Sequence, residues 1–213
     1  MKKETYSLIL SEQVISEIDK AAKDRGTSRS GLINQILAEY VRYVTPEMQM
    51  HSILSLTQEM LCSCGEYRVV SQPGGTMLSV LSALEFKYNP SVRYSVELYR
   101  STVPFTGELR VSLRTQNGSL LVHITRFFRL WSAAECSYRP DCQYSIDGGR
   151  YTRRLRLPDG KRAGSSPEEL ISGYISGFDK ALKSFFAHLD NPDAAAAVEQ
   201  IYRDCILGRG ITV

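Results

Sequence analysis

From Thr5 the chain alternates, with Thr5, Ser7 and Ile9 on one side and Tyr6, Leu8 and Leu10 on the other. That period of two predicts a short strand with one apolar face. The period then changes. Ser11 is placed to cap a helix whose apolar positions are Val14, Ile15, Ile18, Ala21 and Ala22, and Gly26 stands where a C′ glycine would end it. Thr27 or Ser28 caps a second helix through Leu32, Ile33, Ile36, Leu37, Tyr40 and Val41. One strand and two helices cannot bury their apolar faces alone. A second copy of the chain would supply what is missing: two strands paired antiparallel across a two-fold axis, with four helices closing over them.

Further along, Thr45-Pro46-Glu47 reads as an N-cap, an N1 proline and an acidic first turn, opening a helix through Met50, Ile53, Leu54, Met60 and Leu61. Ser71-Gln72-Pro73-Gly74-Gly75 makes a loop. The segments MLSVLSALEFKY, VRYSVELYR and GELRVSLR read as strands, the last two by clean alternation. Asn117-Gly118 predicts a type I′ hairpin, with a following strand from Ser119 that becomes continuously apolar through Phe127, Phe128, Leu130 and Trp131. Tyr151, Arg153, Leu155 and Leu157 suggest a last strand. Ser166-Pro167-Glu168-Glu169 is a capping box before a broad apolar stripe from Leu170 to Phe186, and Asn191-Pro192 starts a final helix.

The expected fold is therefore α+β. Residues 1–44 form an N-terminal dimerisation unit. Residues 45–213 form an effector, partner-binding or oligomerisation domain, an antiparallel sheet of about four or five strands with helices packed on one face.

The first unit resembles a known pattern. Residues 4–44, with their basic start, alternating strand, Leu10-Ser11-Glu12 helix opening and Gly26-Thr27-Ser28-Arg29-Ser30 between helices, resemble the ribbon-helix-helix family of Arc, MetJ and CopG-like repressors. The resemblance covers about a fifth of the chain. It implies paired strands in the DNA major groove, with Thr5, Ser7 and Ile9 toward the bases. Hydroxyls at positions 5 and 7 suit base edges, whereas Ile9 suits a thymine methyl. Ser28, Arg29 and Ser30 at the second helix, with Lys2 and Lys3, would contact phosphates. Tyr6, Leu8, Leu10, Ile33, Ile36, Leu37 and Tyr40 would form the dimer core.

Composition adds limits. The chain has 213 residues, 43% hydrophobic and 23% charged, as in ordinary globular proteins. No apolar run approaches the roughly 20 residues of a membrane span, and MKKETYSLIL lacks the pattern of a signal peptide. A cytoplasmic protein with reduced thiols is the expectation. Net charge is +3, and its distribution is more informative. Residues 1–44 hold seven Lys/Arg against six Asp/Glu, while residues 150–162 hold six against one. That second stretch reads either as a solvated edge strand with aggregation-blocking charge or as a further contact to phosphates or an acidic partner.

Catalytic chemistry finds no support. His51, His123 and His188 are scattered, with no nucleophile motif. Cys62-Ser63-Cys64 and the Cys136/Cys142 pair lack knuckle spacing and read as packed thiols, so no metal and no cofactor are expected. Tyr88, Tyr94, Tyr99 and Tyr138 could line a pocket. The leading expectation is a dimeric, or higher even-order, transcriptional regulator or repressor on double-stranded DNA. A small ligand or protein partner would act at the second domain, without membrane attachment. The alternative is an antitoxin-like or mobile-element accessory protein whose second domain binds another protein.

Overall fold

The computed structural model describes residues 6–74, 76–99, 105–157, 165–189, 193–211 and 213. Three helices come first: α1 (Glu12–Asp24), α2 (Arg29–Tyr40) and α3 (Pro46–Cys62). Strands β1 (Tyr67–Gly74), β2 (Met77–Ala83), β3 (Ser91–Tyr99) and β4 (Phe105–Leu113) then run as an antiparallel meander. Helix α4 (Gly118–Tyr138) crosses to β5 (Tyr144–Asp147) and β6 (Arg150–Leu157), and α5 (Pro167–Ala187) and α6 (Ala194–Tyr202) close the fold. Strand order is β1-β2-β3-β4-β6-β5, antiparallel throughout.

The N-terminus departs from the strand-first ribbon-helix-helix expectation. Residues 6–11 carry no strand, and the first regular element is α1. Alternation licenses a strand only where a ladder partner exists, and none pairs with these residues among the described part of the chain. Local cap chemistry needs no such partner. Ser11, Ser28 and Thr45 each accept from the backbone three residues on, at Val14, Gly31 and Met48, which starts three helices in succession.

The Asn117-Gly118 hairpin is also replaced. Asn117 Oδ1 instead accepts the amides of Ser119 and Leu120, as the N-cap of α4. Leu120, Ile124, Phe127, Phe128 and Trp131 recur at helical spacing and are all buried, so the period of 3.6 overrides the turn dipeptide. His123, within the segment expected as that strand, therefore lies on a helix, edge-on to Phe86 and Phe186. The sheet has six strands rather than four or five.

The core lies on one side of the sheet. Val92, Tyr94, Val96 and Leu98 of β3, Leu109 and Val111 of β4, and Tyr151, Leu155 and Leu157 of β6 point inward and are buried. Phe178 of α5 sits at the centre, its ring centroid 5.0 Å from Trp131, 5.2 Å from Phe127 and 5.4 Å from Tyr151. Gly107 allows β4 to close on β3: a Cβ there would stand 2.4 Å from the Glu97 carbonyl oxygen. No described helix is long and apolar enough to cross a membrane.

Candidate nucleic-acid interface

Helices α1 and α2 pack on each other through few buried side chains, Ala22, Leu32 and Ala38. Gly26 turns between them with φ +60°. Arg29, the first residue of α2, forms a two-pronged ion pair with Asp19 of α1. Hydrogen bonding to the guanidinium lowers the Asp19 carboxyl below its ordinary range and raises Arg29. A side chain expected on phosphate thus also fastens the two helices together.

Ile15, Ile18 and Ala21 are half-buried, and most of the other large apolar residues of this unit are exposed. Tyr6, Leu8, Ile9 and Leu10 are exposed, Ile9 fully so, and Ile36, Leu37, Tyr40, Val41 and Val44 join them. Ile33, half-buried, completes a stripe with Ile36, Leu37 and Tyr40 at helical spacing along α2. Every described residue expected in the dimer core is therefore uncovered or only half-covered within one chain. Ser7 and Ile9 are exposed; Thr5, Lys2 and Lys3 lie outside the described residues. Ser28 uses its Oγ to cap Gly31 and lies 3.4 Å from Ser30 Oγ. No acidic residue of α2 occupies its own first turn; the negative charge at that end is the Asp19 carboxylate of α1, paired with Arg29.

Comparison with protein-family models, curated proteins and solved structures finds no match.

The sheet body holds two buried polar clusters that sequence reading missed. Asp179 on α5, nearly inaccessible, accepts from Tyr94 Oη at 2.7 Å, Ser82 Oγ at 2.9 Å and Tyr67 Oη at 3.3 Å, and pairs with Lys183 Nζ at 2.7 Å. Glu135 on α4, fully buried, pairs with Arg153 Nη2 at 2.8 Å and accepts from Tyr174 Oη at 2.9 Å. Arg153 also donates to the carbonyls of Arg154 and Val213. Burial, with the neighbouring carboxylates, pushes the Tyr94 and Tyr174 hydroxyls well above their ordinary range, so both stay protonated donors. Each carboxylate is satisfied by protein groups and closed to solvent, the condition of a structural tie. The available signal was the inward parity of Arg153 among Tyr151, Leu155 and Leu157.

The other candidate groups do not converge on a reactive centre. Cys136 and Cys142 meet with sulfurs 2.9 Å apart, while Cys62 and Cys64 sit at the end of α3. Among the described residues no three His, Cys, Asp or Glu side chains gather as a metal site would require. The four tyrosines disperse: Tyr94 is in the core, Tyr99 donates to Glu108, Tyr138 donates to Glu199 and Tyr88 is exposed. A cavity of about 450 Å³ lies where α3, α5 and the C-terminal segment meet. It is open, and Ser165, Glu169, Ser172, Ser176 and Arg209 are among its lining residues, unlike the enclosed apolar pocket of a typical small-ligand sensor.

Proposed function

We propose that the protein is a self-associating DNA-binding regulator. Residues 6–44 serve as its association and DNA-contacting unit, and the sheet body is the platform that carries them. The observation behind this reading is the uncovered apolar surface of the N-terminal unit. Tyr6, Leu8, Ile9, Ile36, Leu37 and Tyr40 are all exposed in one short segment. Exposed apolar side chains gathered in one unit mark an association site, and a second copy of the same unit offers a like surface to cover them. Support for DNA as ligand comes from the polar start of α2 at Ser28, Arg29 and Ser30, where α2 itself places no acidic residue and phosphate oxygens would compete with Asp19 for Arg29. Ser7, exposed in the same unit, carries a hydroxyl that suits a base edge.

The test is random-site selection with full-length protein at moderate salt, alongside sedimentation equilibrium. Enrichment of a symmetric motif by a species of twice the chain mass is expected. A dimer with no sequence preference would transfer the unit to protein–protein association, the accessory-protein reading. A monomer with no preference would end both.

A further inference from the structure

The helices that cover the sheet lie against one of its faces. Among the described residues the opposite face is left without a helix, with Arg68, Arg93, Arg154 and Arg156 exposed on it, and the register of the strands sets what it presents. Arg68 of β1, Arg93 of β3, Arg110 of β4, and Arg150, Arg154 and Arg156 of β6 all point outward, as their pairing partners require: Arg68 opposite Leu81, Arg93 opposite Leu81 and Ser112, and Arg110 opposite Thr152. Three carboxylates share the face, those of Glu97, Glu108 and Asp147. Two of them are engaged: Arg110 Nη2 lies 3.0 Å from Glu97 and 2.8 Å from Glu108. Asp147 stands opposite Arg150 at the β5 edge. Arg68, Arg93 and Arg156 are exposed and have no ion pair among the described residues, and Arg154 stands exposed opposite Glu108.

Edge protection does not account for this charge. The edge strands are β1 and β5, whereas β6 lies between β4 and β5 and β3 lies between β2 and β4. The arginines of β3 and β6 therefore guard no open ladder. Arg153, counted in the basic stretch by sequence, is buried and takes no part. The chain separates a single arginine that ties the core from three neighbours, Arg150, Arg154 and Arg156, that face out.

We infer that this uncovered arginine-bearing face is a second contact for the phosphate backbone of duplex DNA, an inference that rests on the DNA-binding reading above. Adjacent strands stand about 4.8 Å apart and outward residues on one strand about 6.8 Å apart. Four of the six strands, β1, β3, β4 and β6, therefore present fixed cations over a width of roughly 19 Å, between five and six base pairs of duplex rise. Ser112 and Thr152 lie between them, and short hydroxyl side chains of this kind donate to phosphate oxygens. A broad sheet face laid across the duplex meets the phosphate ridges rather than the base edges inside the groove. The contact adds affinity and orientation without sequence preference.

The test is a salt titration of binding to a fluorescein-labelled duplex of mixed sequence. It compares wild-type protein, the triple variant Arg93→Ser/Arg154→Ser/Arg156→Ser, each single variant, and Arg129→Ser, which removes an exposed arginine from α4 on the other layer. Thermal melting establishes that each variant is folded, and the single variants carry the comparison if the triple is not. Each lost phosphate contact should lower the slope of log K against log salt by about 0.9, so the triple variant falls most and Arg129→Ser stays with wild type. If the folded variants keep the wild-type slope, or Arg129→Ser loses as much as each single sheet variant, the sheet-face contact is overturned while DNA binding stands. If wild type itself fails to bind duplex at low salt, both readings fall. Retention of the variants' deficit on polyglutamate rather than on DNA would assign the face to an acidic protein instead.

Discussion

Arg153 shows how much one side chain carries. Its guanidinium reaches Glu135, the Arg154 carbonyl and the Val213 carbonyl, joining α4, β6 and the C-terminal segment. Arg153→Met would leave Glu135 buried without its cation, at a cost of about 3–5 kcal/mol. Adding Glu135→Leu should return much of that loss, because the desolvated carboxylate goes too; denaturant unfolding of the single and double variants measures it. Cys142 is the second residue with a distinct expectation. Burial, with the hydrogen bond from Cys136 and the charge of Glu135 adding to it, pushes its thiol up to about 12. Folding thus favours the protonated thiol. That contribution is full below the unfolded value near about 8.5 and is lost as pH rises through the folded value. Iodoacetamide at mildly alkaline pH should therefore modify exposed Cys64 well before Cys142 in the native protein. Equal labelling rates by mass spectrometry would refute the shift.

Elements here follow their caps more faithfully than their alternation. Ser166 accepts from the Glu169 amide while the Glu169 carboxylate accepts from the Ser166 amide, and α5 begins where that reciprocal pair requires. Asn117 does the same work for α4 with one side chain. Ser166→Ala and Asn117→Ala should each cost about 1 kcal/mol, read as a lowered melting temperature with unchanged helicity at low temperature. The α4 case explains a misreading. Ser119 to Ile124 alternates over one short stretch, but only a window of a dozen residues separates a strand from a helix buried on a broad face. Phe178 is the corresponding point in the packing. Phe178→Ala would empty the centre of the aromatic cluster and cost about 3–5 kcal/mol, a loss that calorimetry would register directly.

At the scale of the molecule, one part is a closed body and the other an open unit. The body buries its apolar faces between sheet and helices; residues 6–44 leave theirs outside. That contrast gives a separable prediction. Leu37→Glu and Tyr40→Glu place charge on side chains that are exposed within one chain, so the monomer should keep its circular dichroism spectrum and the sheet body its melting temperature. Self-association should fall at least tenfold by sedimentation, since a buried unpaired charge at an interface costs several kcal/mol, on the order of 3–5. A variant that associates as wild type would remove this stripe from the interface.

The sequence by itself determined the helix starts at Ser11, Thr45 and Ser166 and narrowed that of α2 to Thr27 or Ser28, because a cap is a local match between a side chain and amides three residues away. It also determined the inward parity of β3 and β4, because strict alternation has one solution once a core exists. Tertiary structure alone decided three things. It left residues 6–10 without a strand, since pairing depends on a partner that local pattern does not supply. It turned the Asn117 segment into a helix, since burial against sheet and α5 rewards the long period over the short turn. It buried Arg153 while its neighbours stayed in solvent, because a charge can enter the core only where a distant carboxylate, here Glu135 eighteen residues earlier in the chain, is held in place to meet it.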